Sequence, residues 1–296
     1  MSDERVTVKL TGVPETLLWP LYGRASEANR SDGLLRDSGA LRLMESIDYP
    51  FVERFGRPSQ VFALRARCFD KVVEEFLARY PDALVVSLGE GLETQFWRVD
   101  NGTVQWLTVD LPETLEIRHT LLPDGPRRQS LASSAFAPAW MEHVERLLAQ
   151  QSRRVCIVAQ GLLMYFDRDE VDGLIKECAR RFPGGTMVFD TMPSWLVKGV
   201  PGGTWLSLSL MRGRDDRPDK RYRLPPMQWG TSLGEAQRLK GLHPAIESVR
   251  DAVFPLGRGL TFGYLSPFLG GGPVVRDLRP RNLVIEIREK GSEFDG

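Results

Sequence analysis

The hydrophobic residues of this chain alternate between short continuous runs and longer segments with helical spacing. The clearest run covers residues 84–88, and Gly89 ends it. A short apolar run rich in β-branched residues indicates a strand that is buried on both faces. Similar runs predict further strands at residues 106–110, 128–133, 155–159, 186–190, 245–253 and 282–287. Seven strands separated by helices predict an α/β fold with a mostly parallel sheet.

The segments between these runs carry apolar residues three and four positions apart. In residues 61–80 this spacing connects Phe69, Val73 and Phe76, which predicts a helix that leads into the strand at 84–88. Further helices are predicted at residues 113–122, 139–150 and 169–182. Residues 16–28 and 40–47 are also helix-like, the second after a Ser38-Gly39 turn, so residues 1–60 are predicted to form a helical cap.

Residues 191–245 interrupt this rhythm, because they contain Trp195, Trp205, Trp229 and many charges but no strand-like period. One interpretation is a lid whose aromatic side chains form an apolar pocket, and the other is a peripheral helical layer. We therefore predict one domain over residues 1–296. Its parts are the helical cap (1–60), a binding core (61–190), the lid or insertion (191–245) and the C-terminal strands (246–296).

Gly89 and Gly91 follow the first strand of the core in the order Gly-Glu-Gly. Gly89 can turn tightly, and Gly91 lacks a Cβ, so a ligand can approach the backbone at the start of a helix near residues 90–92. A dinucleotide-binding fingerprint would place a third glycine at position 94, where the chain has Thr94. The pattern therefore favours a nucleoside without phosphates.

Asp110 ends the second strand of the core, about twenty residues further on. A carboxylate at this place in an α/β sheet can accept hydrogen bonds from both ribose hydroxyls. Asp110 also directly precedes Leu111-Pro112, so it can instead be only a turn or helix-entry residue. The spacing alone leaves both interpretations open.

The composition argues against several classes of function. Lysine plus arginine and aspartate plus glutamate both number 39, so no net field favours nucleic acid or an anionic membrane. Cys68, Cys156 and Cys178 stand singly in apolar contexts, which argues against disulfides and a zinc site. The polar start and the lack of a long apolar run predict a cytoplasmic protein without a membrane span.

Four segments together resemble one family. They are Val-Val-Ser-Leu-Gly-Glu-Gly-Leu-Glu-Thr-Gln-Phe-Trp-Arg (85–98), Val-Asp-Leu-Pro-Glu (109–113), Ala-Gln-Gly-Leu-Leu-Met-Tyr (159–165) and Phe-Pro-Gly-Gly-Thr-Met-Val-Phe-Asp (182–190). Their order resembles the S-adenosylmethionine-dependent leucine carboxyl methyltransferases, including the bacterial branch of polyketide-type O-methyltransferases. The chain departs from the commoner pattern of the family at three positions. It has Glu93 where Asp is usual, Gln95 where Arg or Thr is usual, and Gln160 where Glu is usual.

The resemblance implies a Rossmann-like class I methyltransferase fold with S-adenosyl-L-methionine as the cofactor. It places Arg24 and Arg65 beside the cofactor, where a guanidinium can bind a carboxylate, and Arg65 and Tyr165 in the active site. The hydroxyl of Tyr165 would hold or orient the acceptor oxygen. Without the resemblance, the residue pattern predicts that both arginines are surface charges and that Tyr165 is a half-buried core residue.

Two further cofactor contacts are expected where strands end. Gln160 follows the strand at 155–159, where the family's Glu can accept a hydrogen bond from adenine or ribose; the amide keeps an acceptor but loses the charge. Ser133 and Ser134 end the third strand, where adenine-contacting residues lie in this architecture. Serine is also common at helix entries, so that interpretation stays open.

The sequence offers no metal site. His119, His143 and His243 are isolated, and no carboxylate cluster accompanies them. A carboxylate acceptor needs no base, because it is already an anion that an arginine and a tyrosine can hold. A phenol acceptor would need a base, and His243 is then the candidate.

We therefore predict an S-adenosylmethionine-dependent O-methyltransferase whose substrate is a small, polyketide-like molecule with a carboxyl or hydroxyl acceptor. Methylation of a protein's C-terminal carboxyl is the alternative within the same class. A catalytically idle cofactor-binding protein is a second alternative, and a nicotinamide oxidoreductase is a third that we do not expect.

Overall fold

A computed structural model of the chain describes residues 6–7, 17–197, 225–232, 234–259 and 280–290. In these residues the strands are β1 Val6–Thr7, β2 Ile47–Asp48, β3 Leu84–Leu88, β4 Gln105–Asp110, β5 Arg128–Ala132, β6 Val155–Ala159, β7 Thr186–Pro193, β8 Gly230–Thr231, β9 Ile246–Asp251 and β10 Arg281–Ile287. The helices are α1 Leu18–Ala28, α2 Ser38–Ser46, α3 Phe51–Phe55, α4 Val61–Arg79, α5 Gln95–Val99, α6 Pro112–Leu121, α7 Pro138–Gln150, α8 Arg168–Arg181, α9 Ser194–Val197 and α10 Glu235–Lys240. A 3₁₀ turn spans Leu163–Tyr165.

The main sheet has the strand order β5-β4-β3-β6-β7-β10-β9, and β8 pairs with the end of β7. The strands β5, β4, β3, β6 and β7 run parallel to one another, while β10 runs antiparallel to both β7 and β9. The chain passes from β3 outward to β4 and β5, then returns to β6 on the other side of β3. The gap between the β3 and β6 ends is therefore the point where the strand order reverses.

The central strands β3 and β6 are buried at every position because helices cover both faces of the sheet. Val86 packs on one face with Trp140 of α7 and Ile175 of α8. Val85, the next residue along β3, packs on the opposite face with Phe76 of α4. The alternation of side chains along a strand thus places successive residues in two different cores.

An aromatic cluster joins the helical cap to the sheet. Trp19 of α1 stacks on Phe55 of α3 with ring centroids 6.0 Å apart, and its ring meets the edge of Phe62 of α4 at 5.2 Å. Gly23 allows α1 to lie close to α4, because a Cβ there would be 2.6 Å from the Phe62 ring. The cap therefore packs directly against the helix that precedes β3.

The predicted α/β class, the mostly parallel sheet and the helical pieces of the cap are confirmed, with boundaries shifted by a few residues. The two-residue strand β8 was not predicted. The predicted Ser38-Gly39 turn is wrong: both residues belong to the first turn of α2, because the Asp37 side chain caps that helix by accepting the Ala40 N–H at 2.8 Å.

Residues 198–224 of the predicted lid lie outside the described residues, so the lid stays a prediction, and Trp205 lies there too. The interpretation of Trp229 as part of an apolar pocket is wrong. Its ring is buried against Phe189, with ring centroids 5.8 Å apart, and it does not line the cleft. Trp195 does not line the cleft either. Within the described parts of the chain, no helix has the length and apolar character of a membrane span, and no cluster of His, Cys, Asp and Glu could hold a metal ion.

The doubly covered sheet predicts a clear contrast between two truncations. Ile157 in β6 is fully buried, so Ile157→Ala should lower the free energy of unfolding by about 2 to 5 kcal/mol through lost burial and a residual cavity. Val253 is 72% exposed, and Val253→Ala should change it by less than about 0.5 kcal/mol. Urea denaturation of both variants checks this, and equal losses would contradict the layered core.

Candidate active site

A cleft of about 530 Å³ opens where the carboxyl ends of the parallel strands meet. Residues at or just after the ends of β3, β4, β5, β6 and β7 line it, together with residues of α1, α4 and the 3₁₀ turn. It therefore lies at the reversal point of the strand order, which is the usual ligand site of open α/β sheets. Of the predicted site residues, Arg24, Arg65, Gly89, Asp110, Ser133, Ser134, Gln160 and Tyr165 line the cleft, and Gly91 does not.

The loop after β3 uses its backbone amides within the protein. The N–H of Gly89 donates to the Val109 carbonyl at 2.8 Å, and the N–H of Gly91 donates to Asp110 Oδ2 at 2.7 Å. The predicted helix start near residue 90 is wrong, because α5 begins only at Gln95 and spans five residues. The expected row of free helical amides is therefore not formed at these glycines, which argues against a phosphate ligand.

Gly89 and Gly91 both have a positive φ, but they serve different purposes. Gly89 lines the cleft, and a Cβ there would lie 2.8 Å from Leu162. Gly91 is not among the residues that line the cleft, and a Cβ there would lie 2.3 Å from Leu17, which precedes α1 and lines the cleft itself. In this structure Gly91 orients Asp110 and leaves room for Leu17, and its contact with the cofactor stays a prediction.

Asp110 ends β4 with its carboxylate at the cleft. Oδ2 accepts the Gly91 N–H, and Oδ1 accepts the N–H of Leu111 at 2.8 Å. Burial raises the pKa of Asp110, although these two N–H groups favour the charged form. Each carboxylate oxygen has a further lone pair, so the group is oriented and can still accept from a ligand.

Arg24 is buried at 2% exposure, so its interpretation as a surface charge is wrong. Its guanidinium contacts Asp37 at 3.2 Å and Glu93 at 2.7 Å, and it donates to the Leu92 carbonyl at 3.0 Å. Arg24 thereby ties α1 to the glycine loop at the floor of the cleft. Its predicted contact with the cofactor's carboxylate stays a prediction.

Arg98 of α5 completes this buried group. It contacts Asp37 at 2.8 Å, Glu93 at 2.8 Å and Asp70 of α4 at 2.7 Å. Burial opposes the charges on Asp37 and Glu93, but the two arginines outweigh it and lower the pKa of each carboxyl. Burial dominates at Asp70 and raises its pKa despite Arg98.

Gln160 lies just after β6, where the sequence placed it. Its Nε2 donates to Glu93 Oε2 at 3.2 Å, so the carboxylate fixes which way the amide points. Its Oε1 is buried and has no hydrogen-bond partner among the described residues. A buried acceptor without a partner costs about 1 to 3 kcal/mol, so this oxygen is suited to a ligand donor.

Arg65 and Tyr165 lie on the β6–β7 side of the cleft. Nη1 of Arg65 contacts Asp190 at 3.1 Å, while its Nε is buried and has no partner in the described part of the chain. Burial raises the pKa of Tyr165 to about 12, with Arg65 opposing and Asp190 reinforcing the rise. The phenol is therefore protonated at neutral pH, and it stands beside a cation.

Ser133 and Ser134 line the opposite, β5 side of the cleft. Their side chains make local bonds: Ser133 Oγ donates to the Ser134 carbonyl at 3.2 Å, and Ser134 Oγ accepts the Phe136 N–H at 3.2 Å. Phe166 also lines the cleft and packs on Phe136 with ring centroids 4.3 Å apart. This ring offers an apolar surface to a flat ligand group, and the adenine contact of the two serines stays a prediction.

The structure excludes His243 as a base. It lies in the turn before β9, at the edge of the sheet where the parallel strands begin, and its Nδ1 accepts the Ala245 N–H at 3.1 Å. No histidine, lysine or cysteine lines the cleft within the described ranges.

Sequence reasoning missed several buried charges around the glycine loop. Arg118 of α6 donates to the carbonyls of Gly91 at 2.6 Å and Glu93 at 3.0 Å, and it pairs with Glu90 at 3.2 Å. Glu90 in turn accepts from Trp106 and Thr108. One feature of the sequence indicated these buried charges, which is the position of Glu90 between two glycines. The spacing of residues in helices and loops does not reveal which charged side chains become buried.

Comparison with known proteins agrees with the geometry. A crystal structure assigned as a methyltransferase, from Thermobifida fusca, superposes with a TM-score of 0.50 over 94% of this chain and 100% of that chain at 14% identity, which bears on the fold. The fold is that of the class I methyltransferases. Residues 18–179 match the sequence model of the leucine carboxyl methyltransferases. The chain belongs to this family of S-adenosylmethionine-dependent methyltransferases.

Two relatives indicate the range of the family. The tetracenomycin polyketide synthesis O-methyltransferase TcmP of Streptomyces glaucescens is 32% identical over 195 residues, 65% of this chain and 70% of TcmP. Leucine carboxyl methyltransferase 1 of Caenorhabditis elegans is 29% identical over 160 residues, 44% of this chain and 48% of that protein.

Alanine at Gly91 should cost more than alanine at another glycine with positive φ. Gly102 has a φ of 87° and open space around it, so Gly102→Ala should cost about 1 to 2 kcal/mol of backbone strain. Gly91→Ala adds the collision with Leu17, which should raise the loss by about 1 to 3 kcal/mol. Urea denaturation compares the two, and equal losses would contradict the packing of Leu17 against Gly91.

Removing Tyr165 should delete a strongly alkaline tyrosine titration. The chain has six tyrosines, and the pKa of Tyr165 is raised to about 12 by burial. Tyr165→Phe should therefore lose absorbance change only well above pH 10, near which ordinary tyrosines ionise. A spectrophotometric titration of folded protein checks this; a loss already complete near pH 10 would contradict a buried phenol.

Proposed function

We propose that this protein transfers a methyl group from S-adenosylmethionine to an oxygen of a small apolar molecule. The observation that carries the proposal is the pair of buried polar atoms without partners, Gln160 Oε1 and Arg65 Nε, on two residues that line one cleft. One is an acceptor and the other a charged donor, as the ammonium and carboxylate of an amino acid require. The methionine part of the cofactor has these two groups.

The rest of the cleft fits the adenosine part. Asp110 is held with its carboxylate at the cleft, where it can accept from ribose hydroxyls. In the proposed binding mode the adenine lies on the β5 side of the cleft, near Phe166, and the methionine part lies beside Gln160; the strand order β5-β4-β3-β6 supports this direction. When bound, the cofactor supplies a methyl group on a positively charged sulfur, and the neutral thioether that remains is a good leaving group.

The acceptor side favours a carboxylate over a phenol. Besides the cofactor's carboxylate, the guanidinium of Arg65 has N–H donors for an acceptor carboxylate, which it can hold together with the protonated Tyr165 through charge-assisted and neutral hydrogen bonds. A carboxylate needs no deprotonation, which matches a cleft whose described lining offers no histidine or lysine as a base. The protein then has only to align the two reactants and exclude water.

The surroundings of these residues support an apolar acceptor. Met164, Met192 and Met227 line the cleft with Trp19 and Phe62. Methionine adapts to irregular apolar shapes, so such walls suit a bulky, largely apolar molecule. We favour a polyketide-like acceptor, because TcmP, named for polyketide synthesis, matches over 65% of this chain.

Methylation of a protein's C-terminal carboxyl is the second candidate, favoured by the family's name and by the C. elegans relative. The same arginine and tyrosine would hold a terminal carboxylate. Isotope-labelled cofactor offered with aromatic acids, phenols and peptides ending in leucine separates the candidates by mass spectrometry. A methyl ester on an aromatic acid supports the proposal, whereas exclusive peptide labelling would favour the second candidate and no labelled product would favour an idle binder.

Loss of the ribose contact should abolish cofactor binding. Wild-type protein with S-adenosylmethionine at a hundred times its Kd should gain about 2.7 kcal/mol in the free energy of unfolding, and NAD should add nothing. Asp110→Ala should lose this gain, because the ribose hydroxyls lose their acceptor. Asp100→Ala is the matched control, since Asp100 pairs with Arg127 outside the cleft. An undiminished gain in folded Asp110→Ala protein would contradict the assignment.

A further inference from the structure

Asp190 is a buried carboxylate that touches the site without lining it. It lies in β7, is 4% exposed, and is not among the residues that form the cleft wall. Its Oδ1 accepts the N–H of Gly161 at 2.5 Å, and its Oδ2 contacts Nη1 of Arg65 at 3.1 Å. One side chain thus connects the loop after β6 with the arginine on the acceptor side.

The position of Arg65 depends on close contacts on several sides. Its guanidinium lies over the Phe62 ring, 5.6 Å from the centroid. Gly161 has a φ of 70°, and a Cβ there would lie 3.0 Å from Nη1 of Arg65. Asp190 supplies the one ionic contact that the described residues make with this arginine, so it determines which nitrogens remain for a ligand.

Asp190 itself is held rigidly. It pairs with Asn282 of β10 in the sheet, and its neighbour Phe189 pairs with Ala159 at the end of β6. A carboxylate on a central strand has few rotamers that keep both of its contacts, so the strand fixes the carboxylate and the carboxylate fixes the arginine. The unpartnered Nε of Arg65 then keeps one direction relative to the cleft.

We propose that Asp190 is the positioning residue for Arg65 and that it controls the use of the acceptor rather than the binding of the cofactor's adenosine. This inference rests on the proposed function, because it takes Arg65 as a group that holds the acceptor as well as the cofactor's carboxylate. Asp190 acts through Arg65, since it does not reach the cleft itself. Without its charge, Arg65 gains rotational freedom and the acceptor oxygen loses its alignment with the methyl group.

Asp190→Asn tests this with little change of shape. We expect kcat/KM for the acceptor to fall about tenfold to a hundredfold, as misalignment of a reactant does. The Kd of adenosine, which lacks the amino-acid group that Arg65 is proposed to hold, should stay within about threefold of wild type, because Asp110 is unchanged. Asp251→Asn is the matched control: Asp251 pairs with Arg281 at 2.8 Å on the same sheet but does not line the cleft. Its kcat/KM should equal that of wild type.

A double-mutant cycle separates positioning from general stability. In an Arg65→Met background, Asp190→Asn should lower kcat/KM by less than about threefold, because the ion pair it would remove is already lost. If the two losses multiply, Asp190 acts independently of Arg65 and the inference is overturned. It is also overturned if Asp190→Asn keeps full kcat/KM, or if it weakens binding of adenosine as much as it weakens turnover.

A crystal structure of Asp190→Asn keeps this inference separate from the proposed function. We expect the Arg65 guanidinium to leave its place beside Gly161 or to occupy several orientations. An unmoved Arg65 would overturn the inference even if the enzyme methylates its acceptor. Absence of methylated product from the wild-type protein would instead overturn the proposed function, while the structure of the variant still shows whether Asp190 holds Arg65.

Discussion

The cleft depends on a group of charges that are buried together beneath it. Arg24 and Arg98 bind Asp37, Asp70 and Glu93, and these residues come from the cap, α4, the glycine loop and α5. Each charge would be costly to remove from water alone, and each is tolerable because a partner lies within about 3 Å. Loss of one member would leave a buried charge uncompensated, which typically costs about 3 to 5 kcal/mol. The cap and the sheet are therefore fixed relative to one another at the place where a ligand binds.

This constraint also explains which ligand the glycine loop can take. Arg118 holds two carbonyls of the loop, and Asp110 holds the Gly91 amide, so the loop is bound by side chains behind it. A phosphate would require those backbone amides to face the cleft. An adenosyl group without phosphates requires instead an oriented carboxylate, and Asp110 has that orientation. The fold is shared with nucleotide-binding sheets, but the hydrogen bonds of the loop select against their usual ligand.

The hydrophobic pattern predicted most of the fold because the central strands of the sheet are covered by helices on both faces. Residues 84–88 and 155–159 coincide with β3 and β6, since complete burial leaves a largely apolar run that is visible in the local sequence. The start of α5 was misplaced because residues 90–94 form a loop that is held by Asp110 and Arg118, which lie further along the chain. Residues 198–224 of the predicted lid lie outside the described residues, and their role stays a prediction.

Sequence predicted the site residues that lie at the end of a single strand. It did not predict the residues whose positions depend on contacts among several elements. Asp110 ends β4 and Gln160 directly follows β6, so spacing located them at the cleft. Asp37 and Asp70 gave no such signal, because their burial depends on Arg98, which packs against them only after the chain has folded. The packing of Gly91 was unpredictable for the same reason, since sequence cannot show that Leu17 occupies the space its missing Cβ leaves.

The central claim is that the cleft between the ends of β4 and β6 binds an adenosyl cofactor in one direction. A crystal structure with S-adenosylhomocysteine measures this most directly. We predict ribose hydroxyls within hydrogen-bond distance of Asp110, with the amino-acid group beside Gln160 Oε1 and Arg65. A ligand bound in the reverse direction, or outside this cleft, would contradict the claim.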